Sequence, residues 1–325
     1  MYKKLASEVL RTGEEMEVGV VEAPDEEFRE PLVSFLSHKP REFRWHIERS
    51  LEGPLDELET RFYIGRVEGE IVTNVMTVEY NRTGILGHVY TKPEHRRKGA
   101  CTGVLRTLID DFRGRGGGVL LLGTGYGSPA YWIYHRFGFR SLEEGSGFMR
   151  YTTEEDFEGR FFSPAPVRVV DVVWHDWPRL NLLASVPGRE FVRSIYFGLF
   201  GIKNLEGVFL QVKRDVEEGR CRAKLLESES GAVVGCATVV PDPRWEGSVY
   251  LLDFFTHPEF LCELEGLLDS LELPDGKLQS YVEVGAEVKA ELLLRRGFRE
   301  EAVLRSQVED KEGRRLDVRI FSKGG

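Results

Sequence analysis

The chain repeats a short pattern twice, in the same order and at nearly the same spacing. Residues 89–94 (VYTKPE) have a counterpart at 254–259 (FFTHPE), 165 residues later. Farther along, residues 136–140 (RFGFR) resemble residues 295–299 (RRGFR), 159 residues later. Two matches in the same order predict two copies of one supersecondary unit. An unrelated C-terminal α/β domain is the alternative.

Length supports the same division. At 325 residues, with 41% hydrophobic and 30% charged residues, the chain is longer than one core usually sustains and has an ordinary globular composition. A polar stretch followed by Ser163-Pro164-Ala165-Pro166 predicts a joint within 152–166. We therefore expect one domain over 1–155 and a second over 166–325.

Hydrophobic periodicity gives the elements of the first half, and the second half parallels them. Strands are predicted where apolar residues alternate or run together, and helices where they recur every three or four residues. The predicted strands are 15–22, 62–67, 71–80, 84–91 and 119–122, and the predicted helices are 26–37, a segment around 104–112, and 130–136. Each half therefore reads as hairpin, strand, helix, strand, helix.

Charge and cysteine content exclude several classes of function. The net charge of −10 argues against sequence-independent binding of nucleic acid. The four cysteines are far apart and form no cluster with metal-ligand spacing, so no metal is expected. No apolar run is long enough to span a bilayer and the first residues do not resemble a signal peptide, so we expect a cytoplasmic protein without membrane contact.

The segment 96–102 (RRKGACT) lies where a predicted strand ends and a helix begins. Backbone amides are unpaired at such a helix start, and the helix dipole favours an anion there. Gly99 permits close backbone approach, and three consecutive cations attract negative charge. The pattern favours a diphosphate site over a solvated surface turn, which is the usual role of a basic run.

These residues resemble the diagnostic motif of the GNAT superfamily of N-acetyltransferases, Arg/Gln-x-x-Gly-x-Gly/Ala, with Arg96, Gly99 and Cys101 at its three places. Cys101 departs from the family preference for Gly or Ala. The resemblance implies an α/β (α+β) fold of two tandem domains, each a mixed, mostly antiparallel twisted sheet flanked by helices, with a splayed parallel strand pair. It also implies acetyl-CoA as cosubstrate and a set of coenzyme contacts. That set is Val89, Tyr90, Thr91, Arg96, Arg97, Lys98, Gly99, Ala100, Cys101 and Thr102.

A second family signature, Ala-x-x-x-Tyr-x-x-x-Gly-Phe, is matched by Ala130, Tyr134, Gly138 and Phe139. By resemblance, Tyr134 is the general acid that protonates the departing coenzyme A thiolate. A phenol is chemically suited to that task. The alternative is that Tyr134 only packs among the other aromatic residues of its helix.

The general base is the least defined part of the prediction. An acceptor ammonium must lose a proton before it attacks, so a carboxylate or histidine is wanted. Family members place this group near positions equivalent to Ile85 or Gly87, and neither can act as a base. His88 should point to the other face by strand alternation. Glu79, acting through water, is the candidate, and an exposed glutamate without a role is the alternative.

The second copy lacks both signatures. Its phosphate turn reads LCELEG at 261–266, with two carboxylates in place of the cations, and Leu293 stands at the position of Tyr134. We therefore expect a catalytically competent first domain and a degenerate second domain without acetyl-CoA. The tandem arrangement resembles mycothiol synthase and, in part, the enhanced-intracellular-survival aminoglycoside acetyltransferases.

The predicted activity is acetyl transfer from acetyl-CoA to a primary amine by direct attack in a ternary complex. The expected partner is a small-molecule amine, and a homo-oligomer is left open. The identity of the amine depends on variable segments such as 34–56 and is not readable. A non-catalytic acyl-CoA-binding regulator and an interaction scaffold are the rival interpretations.

Overall fold

The computed structural model describes residues 1–245 and 247–324 and divides into two compact units. The first unit comprises 1–157 together with two later segments, 173–182 and 204–210. The second comprises 158–172, 183–203 and 211–325. None of the helices described is both long and apolar enough to cross a membrane.

The first unit is an eight-stranded mixed sheet with the strand order β1-β2-β3-β4-β5-β6-β8-β7. Helix α3 packs its apolar side against this sheet, and together they enclose the core of the unit. The strands are β1 Tyr2–Val9, β2 Glu15–Glu22, β3 Glu59–Val67, β4 Glu70–Tyr80, β5 Thr83–Thr91, β6 Val119–Gly123, β7 Arg140–Ser141 and β8 Phe148–Thr152. The helices are α1 Glu26–Phe35, α2 Arg41–Glu52, the 3-10 turn Pro93–His95, α3 Ala100–Gly114 and α4 Pro129–Arg136.

The second unit has a seven-stranded mixed sheet with the order β16-β17-β15-β14-β13-β12-β9, beside a short pair β10-β11. Its strands are β9 Val167–Asp171, β10 Val192–Ser194, β11 Leu199–Phe200, β12 Arg222–Ser228, β13 Val233–Pro241, β14 Val249–Thr256, β15 Lys277–Glu283, β16 Arg299–Glu309 and β17 Arg315–Lys323. The remaining helices of the chain are α5 Phe157–Phe161, α6 Asp176–Ser185, α7 Glu206–Glu217, the 3-10 segment Pro258–Glu263, α8 Leu264–Asp269 and α9 Glu287–Arg295.

The two sheets have the same topology. Strands β2 to β8 of the first unit follow the same spatial order as β9 and β12 to β17 of the second. The repeated helix ends also agree: Phe139 N–H donates to the Tyr134 carbonyl, and Phe298 N–H donates to the Leu293 carbonyl. The predicted fold class of two tandem mixed sheets is confirmed, and the shared helix end places Leu293 at the position of Tyr134.

The predicted splay is present in both units. Strand β5 pairs in parallel with β6 only from Thr83 to Ile85, although β5 continues to Thr91. Strand β14 pairs with β15 only from Val249 to Leu251 and continues to Thr256. Beyond the paired part, one edge of each longer strand is free of sheet partners.

Several features were not predicted from the sequence, among them the hairpins that end each sheet, β7/β8 and β16/β17. Strand β1 forms the edge of the first sheet, and helix α2 covers residues 41–52, for which no element was predicted. The segments 173–182 and 204–210, which were expected in the second domain, cluster with the first unit. The local sequence does not indicate which unit these two segments join, because they pack in the first unit through contacts that are distant in sequence.

Aromatic packing holds the two segments in the first unit. Trp177 is fully buried, and its ring stacks on Phe209 at a centroid distance of 5.7 Å and an interplanar angle of 6°. The His46 ring meets Trp177 edge-on at 4.8 Å. The buried Asn181 side chain accepts a hydrogen bond from the Leu205 backbone amide. One large side chain thus links α2 with both added segments.

Replacement of Trp177 by alanine should therefore destabilise the protein by about 3–5 kcal/mol, since a buried Trp loses both its transfer free energy and its packing partners. Urea unfolding of the full chain measures this. Trp245, which is 60% exposed, is the matched control, and Trp245→Ala should change stability by about 0.5 kcal/mol or less. Equal effects of the two substitutions would contradict the packing described.

Candidate functional site

The predicted diphosphate turn has the geometry of an open helix start. Gly99 caps α3 in the left-handed conformation with φ of 97°, and no side chain in the described part of the chain caps the first amides of the helix. A Cβ built at Gly99 would meet no atom within 4 Å, so the space beside the turn is open. Ala100 is buried beneath the turn, whereas Cys101 and Thr102 are partly exposed. Unpaired amides face this space at the positive end of the helix dipole.

The three cations of the turn have different surroundings. Arg96 is exposed and its Nε donates to the Thr91 carbonyl at 3.0 Å. Arg97 is exposed and has a positive φ of 62°. Lys98 forms an ion pair with Glu14 at 2.9 Å. Of the three cations, Arg97 is thus the one for which no ion pair or side-chain hydrogen bond is seen among the described residues.

The free part of β5 has an irregular backbone. His88 has a positive φ of 50°, and the register to β4 shifts there, because Gly87 faces Met76 while Tyr90 faces Asn74. This bulge breaks the side-chain alternation, so the orientation expected for His88 does not follow from the strand pattern. The His88 side chain is buried against the edge of the Phe43 ring, and its Nε2 has no hydrogen-bond partner among residues 1–245 and 247–324.

The three predicted pantetheine contacts lie just beyond this bulge. Their carbonyls accept from side chains: Val89 from Lys39 at 3.3 Å, Tyr90 from Thr73 at 3.1 Å and Thr91 from Arg96. The Tyr90 ring packs against α1 and the turn after it, so only its backbone is directed along the strand edge. A ligand on this edge would use backbone groups of β5.

Tyr134 lies on α4, which begins at Ser128 and Pro129 as predicted, with the Ser128 hydroxyl accepting from the Tyr131 amide. The Tyr134 side chain is 7% exposed. Burial raises the pKa of its phenol above the ordinary range, and the neighbouring Cys101 and Glu206 add to the rise. The structure therefore brings the helix of the second signature beside the first turn of α3.

The departure from the family motif at Cys101 is accommodated. Burial raises the pKa of the Cys101 thiol to about 11, so the group is uncharged at neutral pH. Its side chain packs against the apolar core of the first unit. A neutral, mostly buried thiol behaves as a small hydrophobe and adds no charge to the helix start.

Glu79, the candidate base, is bound tightly within the sheet. Its two carboxylate oxygens accept from the Arg115 guanidinium at 2.8 and 3.0 Å, and the Thr77 hydroxyl donates to one of them at 2.5 Å. Arg115 also contacts Asp111 and the Tyr63 hydroxyl. The Glu79 side chain is only 7% exposed. These contacts give the carboxylate a structural role in tying α3 to β3 and β4.

A carboxylate that the sequence did not indicate lies at the start of the splay. Glu206 is at the first position of α7, within the first unit, and a Cβ built at Gly87 would overlap one of its carboxylate oxygens. On the other strand, a Cβ built at Gly123 would lie 3.3 Å from Asn204 Nδ2. The two glycines make room for residues 204–206 where β5 and β6 begin to separate. Sequence patterns within β5 give no indication of Glu206, because Glu206 lies on α7.

In the second unit the corresponding opening is filled by its own chain. The buried Asp253 carboxylate on β14 accepts from the Ser194 hydroxyl at 2.6 Å and the Ile195 amide at 3.1 Å. The Glu283 carboxylate on β15 accepts from the amides of Phe191 and Val192. Strand β10 therefore contacts both splayed strands.

Across residues 1–245 and 247–324, no three His, Cys, Asp or Glu side chains come together in a way that could hold a metal ion.

Glu79→Gln should lower the free energy of unfolding by about 1–3 kcal/mol, because Arg115 would lose its charged, buried partner. Thermal or urea unfolding at neutral pH measures the change. Glu59→Gln is the matched control: Glu59 is 55% exposed and lies 3.8 Å from Arg115, so its loss should cost less than about 1 kcal/mol. A Glu79 variant as stable as the control would contradict the structural role.

Comparison with known proteins identifies similarity to acetyltransferases. A family model described as FR47-like protein matches residues 63–146, whereas no curated protein matches the chain. The ribosomal-protein-alanine N-acetyltransferase from Brucella melitensis is similar at 20% identity over 49% of this chain and 99% of the other, with a TM-score of 0.38. A GNAT superfamily phosphinothricin acetyltransferase from Sinorhizobium meliloti is similar at 14% identity over 48% of this chain and 87% of the other, with a TM-score of 0.39. Spermidine N-acetyltransferase from Vibrio cholerae is similar at 15% identity over 48% of this chain and 94% of the other, with a TM-score of 0.37. The FR47-like match contains both the turn at Gly99 and the helix of Tyr134.

Proposed function

We propose that the first unit is an acetyl-CoA-dependent N-acetyltransferase that acts on a primary amine by direct attack. The observation that carries this proposal is the arrangement of three parts within one unit: the free edge of β5, the open helix start at Gly99 and the buried phenol of Tyr134. The match of residues 63–146 to the FR47-like family supports the same assignment.

Each part has a chemical task in this proposal. The amides at the start of α3 and the Arg97 guanidinium bind the coenzyme diphosphate. The backbone of β5 beyond the bulge binds the pantetheine arm. Tyr134 donates its proton to the sulfur as the thioester carbon–sulfur bond breaks. Its raised pKa keeps the phenol protonated at neutral pH, so a proton is available when the sulfur departs.

We propose further that the second unit, expected over 166–325, binds no acetyl-CoA. Its opening between β14 and β15 already holds the segment 191–196, through backbone and side-chain donors to Asp253 and Glu283. The start of α8 has Glu263 and Glu265 nearby in place of the cations, and like charges would repel a diphosphate. Leu293 has no proton to donate.

Binding of acetyl-CoA should raise the thermal stability of the protein, because a ligand of the folded state stabilises it by about 2.7 kcal/mol at 100 times its dissociation constant. The rise should shrink in Arg97→Glu and persist in Arg113→Glu, which reverses a charge at the opposite end of α3. Thermal unfolding with and without acetyl-CoA measures both. No rise in the unaltered protein would leave an interaction scaffold as the better interpretation.

Tyr134→Phe should lower kcat about 100-fold or more while acetyl-CoA binding changes little, since only the proton donor is removed. Thiol release from acetyl-CoA in the presence of spermidine, kanamycin or lysine amide measures turnover. Tyr131→Phe is the control: that hydroxyl, on the same helix, bonds to Ser141 at 2.9 Å. Binding without turnover of any amine by the unaltered protein would favour a non-catalytic acyl-CoA-binding regulator.

A further inference from the structure

We propose that Glu206 is the general base of the first unit, and this inference rests on the proposed acetyl transfer. Glu206 follows the FR47-like match by some 60 residues, yet it belongs to the same compact unit. Its carboxylate fills the space that a side chain at Gly87 would occupy. Gly87 is two residues beyond the last parallel pair of β5 and β6.

The surrounding contacts fix the backbone that carries Glu206. The Leu205 amide donates to the buried Asn181 side chain, and the Glu206 amide donates to Asn204 Oδ1 at 2.7 Å. Phe209, one turn further along α7, stacks on Trp177. The backbone at 204–206 is therefore held from both sides, and the Glu206 side chain is directed at the strand edge beside Gly87.

The titratable groups facing Glu206 are Lys39, from the turn after α1, and Tyr134, from α4. His88 on β5 lies next to Lys39 and is held uncharged, because burial lowers its pKa well below the usual value. Desolvation raises the pKa of Glu206 to about 7, while the Lys39 ammonium opposes the rise. A carboxylate with a pKa near the working pH combines an available basic form with useful proton affinity.

The proton balance of the reaction is met by one group that accepts a proton, Glu206, and one that donates a proton to the sulfur, Tyr134. The acceptor ammonium loses one proton to the Glu206 carboxylate, which releases it to solvent. The free amine attacks the carbonyl carbon, and collapse of the adduct breaks the carbon–sulfur bond. Tyr134 gives its proton to the sulfur and regains one from the new amide nitrogen. The products are the N-acetyl amine, coenzyme A and one released proton.

Glu79 cannot be reached in the same way, because Arg115 occupies both of its oxygens. Glu206 has no comparable guanidinium partner among the contacts seen in the described part of the chain. The two glutamates also differ in exposure, because Glu206 is partly exposed as a residue whereas Glu79 is buried.

The test compares Glu206→Gln and Gly87→Ala with Gly207→Ala. A methyl group at Gly87 pushes the flexible end of Glu206 aside, whereas one at Gly207 meets only Phe43 at 3.6 Å. With spermidine, kanamycin or lysine amide as acceptor, kcat/KM of the first two variants should fall about 100-fold or more at neutral pH, with acetyl-CoA affinity retained. Gly207→Ala should behave as the unaltered protein.

Two further readouts separate loss of a base from structural damage. The rise of kcat/KM with pH around 7 should disappear in Glu206→Gln, and transfer to hydroxylamine, which is uncharged at neutral pH, should be largely retained. Glu206→Gln should also be more stable than the unaltered protein above pH 7. Folding raises the pKa of Glu206, so its ionisation costs stability only as the pH rises above the unfolded value.

Unaltered turnover and pH dependence in Glu206→Gln, in a protein that acetylates one of these amines, would overturn the assignment of Glu206 and leave the proposed function standing. Equal losses with hydroxylamine and with the charged amine would also overturn it. Failure of the unaltered protein to acetylate any of them would overturn the proposed function, and the assignment with it.

Discussion

The separation of β5 from β6 after three paired residues is the constraint on which the site depends. A parallel sheet normally satisfies its backbone groups through its neighbours, so an unpaired strand edge must find other partners. Here the bulge at His88 turns the strand, and the side chains of Lys39 and Arg96 contact carbonyls of its far part, while Thr73 contacts the Tyr90 carbonyl from the paired strand β4. In the proposed function, the backbone of this edge binds the pantetheine arm.

The second unit shows a different solution to the same constraint. The strands β14 and β15 separate at the equivalent point, and the chain supplies its own strand β10 to the opening. Its amides are satisfied by the carboxylates of Asp253 and Glu283. In the first unit, residues 204–206 reach only the beginning of the opening, at Gly87 and Gly123. The duplicated fold thus has one opening whose two strands are contacted by β10 and one in which residues 204–206 lie beside Gly87 and Gly123.

Local pattern was sufficient for most of the fold and for part of the site. The strand at 15–22, the helix start at Ser128 and the turn at Gly99 were predictable because each depends on periodicity, a capping side chain or a glycine in its own segment. The bulge at His88 was not, since it depends on register with β4. Glu206 was beyond prediction for a related reason: it reaches Gly87 through the packing of Trp177 and Phe209, which no short-range signal encodes. Whether Tyr134 acts as the acid and which group acts as the base stay predictions.

The most direct measurement of the central claim is amide hydrogen exchange with and without acetyl-CoA. Binding as proposed slows exchange at residues 87–91 and 97–103 of the first unit, because the ligand covers the edge of β5 and the first amides of α3. The equivalent residues 252–256 and 262–268 of the second unit should exchange at the same rate in both conditions. Slower exchange confined to the second unit would contradict the account. So would unchanged exchange at both α3 and β5.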